Sequence, residues 1–278
     1  NQNLASTLDS GIVAALRTGQ RLMQLPIGIF GIAAAVAVFP TLTAYAAKGE
    51  MDNFKKSTSL GLRLVFFLTI PSAVGLMALK VPLVRLLFEQ GAFTHEATIA
   101  TATAVFFYSI GVFAYSGIQV LSRTFYAIQD TKTPVTAGVI TIILNLALNF
   151  ALIKPMGHGG LALAYSIAGI FNLLLLATIL RVKINGFGGR KVALSFALSS
   201  IAAIIMGVLV YLASGYFEAR VDITAKSMQA LQVTGSVLIG IIVYTLLACI
   251  FRMQELRYVL ETVGKKIPAF ARLGKLIN

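Results

Sequence analysis

The sequence contains no tryptophan, one cysteine, two histidines and only ten carboxylates in 278 residues. The single cysteine, Cys249, cannot close an intrachain disulfide, and its place in an apolar run reads as a small core residue. Both histidines, His95 and His158, fall in predicted connectors, and no His, Cys or carboxylate group has metal-ligand spacing, so neither a metal centre nor an enzyme active site is expected. Charged residues amount to 12% of the chain, too few to solvate the surface of a soluble domain. What remains is apolar: 58% of the residues are hydrophobic and the mean hydropathy is +0.86, the composition of a membrane protein.

Uncharged runs cover 22–47, 97–122, 133–153, 155–180, 192–217 and 227–251, each at least 21 residues long. A helix needs about 20 apolar residues to cross the hydrocarbon core. A shorter run at 64–79 reaches that length through Val81–Val84 if Lys80 snorkels toward the headgroups. The fold class is therefore an all-α, polytopic membrane helical bundle of about seven transmembrane helices. The first residues show no initiator Met and no signal-peptide pattern, so the chain is expected to begin inside a larger protein.

The formal net charge is +13, which in a soluble protein would suggest nucleic acid; in a membrane protein its placement matters more, and no nucleic-acid partner is expected. With the first helix starting outside, 16 of the 23 Lys and Arg fall on the connectors 48–63, 123–132 and 181–191 and on the tail from Arg252. By the positive-inside rule that side is cytoplasmic, as is the C-terminus, and it faces anionic membrane lipids. Apolar Leu256, Val259, Leu260 and Val263 alternate with basic residues in the tail, which predicts a basic interfacial helix over 252–278.

Connector chemistry is explicit. Thr133 is placed to cap the helix that opens with Pro134, Gly91 to stop one, and Thr94 to cap the next with Glu96 in its first turn. Lys154–Gly160 reads as a tight turn. Asn185–Gly189 reads as a flexible link, since it lacks the spacing of a phosphate-binding glycine loop.

Few polar residues remain inside the spans. Arg17 and Arg21, four apart, share a helix face with Gln20 and Gln24 beside them, and Pro26 is expected to kink the helix one turn later. Two readings stand: arginines snorkelling to headgroups, or guanidiniums lining a wet cavity, where their planar forks match phosphate oxygens. Asn145 and Asn149 also share a face, with Ser166 and Asn172 in the next helix. They serve either as interhelical hydrogen bonds or as a ligand or cation site. Gln119 and Ser116 belong to the same uncharged polar class.

Three stretches carry a family resemblance: Arg21-Leu-Met-Gln-Leu-Pro-Ile-Gly-Ile-Phe-Gly-Ile-Ala33, Leu87-Phe-Glu-Gln-Gly-Ala-Phe-Thr94 and Thr124-Phe-Tyr-Ala-Ile-Gln-Asp-Thr-Lys-Thr-Pro134. In order and spacing they resemble the MurJ (MviN) lipid II flippases of the MOP exporter superfamily, over about residues 1–185. The resemblance implies fourteen helices, forming two six-helix lobes around a cavity plus two extra helices. This chain would supply helices 8–14: residues 1–185 most of the second lobe, 186–251 the two extra helices and 252–278 the tail.

It further implies that Arg21 is a cavity arginine contacting the pyrophosphate of lipid II, with Arg17 as an additional charge. Gln20 and Gln24 stand where some relatives carry Asp and Glu. Asn1 stands where an Asp often ends helix seven, and Asn149 where some relatives carry an acid, so a cation site here is weakened. The last two spans resemble helices lining a membrane-open groove for the polyprenyl tail.

The implied activity is movement of undecaprenyl-pyrophosphate disaccharide-pentapeptide to the outer leaflet of the bacterial inner membrane, without cofactors. Coupling to a monovalent cation or to protons is left open. The implied partners are lipid II and the N-terminal lobe of the same protein. An exporter of another polyprenyl-linked glycan, or a non-transporting scaffold for cell-wall enzymes, are the alternatives.

Overall fold

The computed structural model describes residues 10–91, 93–220 and 225–264. Among them every regular element is helical. The first membrane crossing, Gly11–Ala47, is built from α1 (Ser10–Pro26), a π-helical segment Ile27–Ile32 and α2 (Ala33–Ala47). α3 (Met51–Ala78) and the shorter α4 (Lys80–Phe88) follow, separated by a break at Leu79. α5 (His95–Ser109) and α6 (Val112–Ala127) form one crossing bent by 44°. α7 (Lys132–Lys183), α8 (Gly189–Arg220), α9 (Lys226–Ile250) and α10 (Gln254–Gly264) complete the chain.

Five helical segments are long and apolar enough to cross a membrane, and the α5–α6 pair makes a sixth. α7 supplies the seventh because it is a hairpin. Its 52 residues would run about 78 Å if straight, more than twice the hydrocarbon thickness. At Gly157 the backbone leaves helical space (φ 54°, ψ −134°), and a methyl group added at Gly160 would fall on the Leu152 carbonyl. The Lys154–Gly160 turn read from sequence is this reversal.

The largest core joins α3, α6 and α8. Phe66, Phe113 and Phe196, one from each, meet edge to face with centroids 5.1–6.2 Å apart. α9 joins through Tyr244, whose hydroxyl donates to the Phe67 carbonyl at 2.8 Å. Buried hydroxyls such as Thr58, Thr69, Ser109, Thr124 and Thr141 each donate to the carbonyl four residues back, so they add no unmet polarity. The outward faces of α7, α8 and α9 stay apolar, with Ile143, Ile204, Tyr211 and Ile241 among the exposed residues. They suit contact with lipid.

Several local expectations change. The α7 N-terminus is capped by Asp130, whose carboxylate accepts from the Thr133 N–H at 3.0 Å and its hydroxyl at 2.6 Å; Thr133 is the capped residue rather than the cap. Thr94 does cap α5, accepting from the Ala97 N–H at 3.3 Å. Lys80 lies over the Phe106 ring at 4.6 Å from the centroid. In the tail, Leu256, Val259 and Leu260 pack against the main core, so the apolar face of α10 meets the bundle. The Val263 side chain lies outside the described residues.

Candidate functional site

α1 carries two stripes of opposite character. Ala15, Leu16, Gly19, Leu22, Met23 and Pro26 are buried, while Arg17, Arg21, Gln24 and Gly28 are exposed at spacings of four, three and four. Gln20 sits at the boundary, half-buried. The tight side is set by Gly19, where an added methyl would stand 3.0 Å from the Ala104 side chain of α5. Ala104 is nine residues along α5 from His95, so Gly19 and its flanking arginines lie about 14 Å from that helix end.

No carboxylate pairs with Arg17 or Arg21 among the described residues; the ion pairs lie elsewhere. Two guanidiniums on one face, with a carboxamide one turn on and Gly28 open beyond, can accept an anion with several oxygens.

The second candidate cluster is divided. Asn149 is fully buried and its Nδ2 donates to Asn145 Oδ1 at 3.2 Å. The hairpin register, Leu152 beside Gly160, carries Ser166 to the same depth. The Ser166 hydroxyl is engaged in the other direction, with the Phe107 carbonyl at 2.7 Å and that of Tyr108 at 3.3 Å. Those carbonyls precede the break between α5 and α6, where the helical ladder is interrupted, and Ser166 supplies a partner. A methyl group on Gly111 would lie 2.8 Å from that hydroxyl, so glycine is needed for the approach. Asn1 lies outside the described residues.

Elsewhere several charges are paired, and this the sequence pattern did not reveal. Arg63 of α3 meets Glu255 of α10 at 3.1 Å, and Glu255 is only 3% exposed. Arg85 of α4 meets Glu218 of α8 at 3.0 Å. Lys226, opening α9, donates to the carbonyls of Arg85, Leu86 and Glu89 at 3.0–3.2 Å, closing the C-terminal end of α4. Lys183 bridges to Asp130 at 2.6 Å; that hydrogen bond, with those from Thr133, holds the Asp130 carboxyl down to about 2.

A family model described as lipid II flippase MurJ matches residues 1–228. A probable lipid II flippase MurJ from Thermotoga maritima is 34% identical over 260 residues, covering 93% of this chain and 50% of that protein. One from Vibrio cholerae is 31% identical over 267 residues, covering 93% and 49%. A solved structure described as lipid II flippase MurJ in an inward closed conformation superposes with a TM-score of 0.73 at 30% identity, covering 90% of this chain and 49% of that one. The chain thus spans about half the length of the curated relatives it matches.

Proposed function

The chain belongs to the MurJ family of lipid II flippases, membrane transporters rather than enzymes, and from that premise we propose that it forms the C-terminal half of a protein that moves lipid II across the bacterial inner membrane. In this reading residues 1–185 are most of the second lobe, 186–251 are the two appended helices, and 252–278 follow on the cytoplasmic side. The N-terminal lobe covers part of the exposed face of α1, and the cavity lies between the lobes. Alternating access exposes that cavity to each leaflet in turn.

Arg21 contacts the pyrophosphate, Arg17 adds charge on the same face, and Gln20 and Gln24 offer neutral hydrogen bonds. The observation that carries this assignment is a pair of guanidiniums facing outward within a membrane crossing, without carboxylate partners among the described residues. A charge left unpaired at such depth is costly unless a ligand or water receives it. Asn145 and Asn149 hold each other, and Ser166 holds the α5–α6 break, so we assign all three to packing rather than to a coupling ion.

The test is complementation of a flippase-depleted cell by the full-length gene, with lipid II binding measured on the purified protein. Arg21→Ala is expected to abolish rescue and weaken binding, and Arg21→Lys to recover only part of both, because an ammonium cannot make the bidentate contact. Unchanged rescue and binding in Arg21→Ala would sink the assignment.

A further inference from the structure

We propose that the π-helical segment Ile27–Ile32 is the positioning element of the anion site: it sets the rotation of α1 that turns Arg17, Arg21 and Gln24 outward together, and its conversion to α-helix turns Arg17 and Gln24 to the core and so breaks up that face. The inference rests on the pyrophosphate reading of that face. Along the first crossing the core-facing positions are Leu16, Gly19, Met23 and Pro26, then Gly31, Ala35, Val38 and Leu42, with Ile27 partly buried at the turn where the two stripes meet. The fully buried residues of α1 lie about 100° around the helix from the phase set by Gly31, Ala35 and Leu42, and the five residues from Pro26 to Gly31, with Ile27 between, coincide with the π segment.

Extending the α2 stripe backward from Gly31 in α-helical steps reaches Ile27, Gln24, Gln20 and Arg17. In a continuous α-helix these polar residues would therefore face the core. The wider π turn absorbs one residue and rotates α1 by about 100° relative to that register.

The segment is built to be metastable. Pro26 lacks the N–H that would bond the Leu22 carbonyl, which loosens the turn. Gly31 permits close approach to α6, since an added methyl would stand 2.9 Å from the Ser116 hydroxyl. That hydroxyl is fully buried and has no hydrogen-bond partner among the described residues. A contact this close that leaves a donor unsatisfied puts a cost on the junction that seats the π segment on α6. Interconversion would couple loss of Arg17 and Gln24 from the outward face to a rotation of α1, a route to releasing a bound pyrophosphate.

Deleting Ile29 removes the extra residue and makes every core step three or four, so the arginines keep their outward phase in a helix that no longer changes register. The full-length protein, with Cys249→Ser and single cysteines at 16, 17, 20 or 21, is probed with a membrane-impermeant thiol reagent. With Ile29 deleted, labelling at 17 and 21 is expected to persist over 16, and lipid II binding without added cysteines to stay within about twofold, while rescue of flippase-depleted cells fails.

Normal rescue would overturn the role of register change, and labelling that moves to 16 with binding lost would overturn the phase assignment. Pro26→Ala supplies a second arm that does not shorten the chain: by favouring the α register it should lower labelling at 17 together with lipid II binding, and unchanged labelling refutes the proposal. Full binding by Arg21→Ala would remove the pyrophosphate reading alone, because the labelling patterns judge the phase independently.

Discussion

The basic residues of α1 and those at the junction of α3, α4 and α8–α10 meet opposite fates in one bundle. Arg17 and Arg21 reach outward without a carboxylate partner among the described residues, whereas Arg63, Arg85 and Lys226 end on carboxylates or on the carbonyls of a helix C-terminus. At the junction the cations fasten the last helices to α3 and α4 at both ends of the crossing. On α1 the same chemistry is left available. A membrane protein can therefore use arginine as a staple or as a ligand site, and the partner, rather than the residue type, separates the two uses.

The largest effect is expected where a staple is broken. Arg63→Ala strands the buried Glu255 carboxylate and should cost roughly 3 kcal/mol, read as a lower thermal midpoint of the purified full-length protein. Adding Glu255→Leu should restore much of that loss, and failure to do so would deny that the pair is buried. Removing both guanidiniums from α1 sharpens the contrast from the other side. Arg17→Ala with Arg21→Ala should weaken lipid II binding by about 2–3 kcal/mol, with the thermal midpoint unchanged.

Lys226→Met should cost only about 1 kcal/mol, read as a small drop in the midpoint, because an exposed lysine at a helix end is screened by water. The smallest effect belongs to Asp130. Its pKa is held down to about 2 in the folded protein, so its contribution is present above the ordinary carboxylate pKa and disappears as pH falls through that window toward 2. Asp130→Asn should remove that contribution, lowering stability near neutrality and flattening the acid limb, so that variant and parent converge as pH approaches 2.

Much of the architecture was legible in the residues because crossing a bilayer imposes a length and a polarity on each segment separately. The uncharged runs at 22–47, 192–217 and 227–251 need no knowledge of neighbours, and the Lys154–Gly160 reversal and the Thr94 cap are local chemistry. The bend between α5 and α6 escaped notice because Ile110-Gly111 lies within an otherwise continuous apolar run. Ser166 was legible as polar but not as the partner of carbonyls 58 and 59 residues away. The apolar stripe of α10 fits a membrane surface and a protein surface equally well, and only packing against the core distinguishes them.

The arginine face shows the same division. Residue spacing established that Arg17 and Arg21 lie together on α1, since a helix brings residues four apart onto one side. Which way that side points was set by tertiary structure. Gly19 seats α1 on α5, Gly31 seats the π segment on α6, and the extra residue between them rotates the arginines away from the core. Hydropathy and charge determined a helical membrane bundle with a basic end, because each segment carries its own transfer free energy. Burial, pairing and helix phase depend on contacts between distant segments, so only the folded bundle could decide which cations are fastened and which face outward.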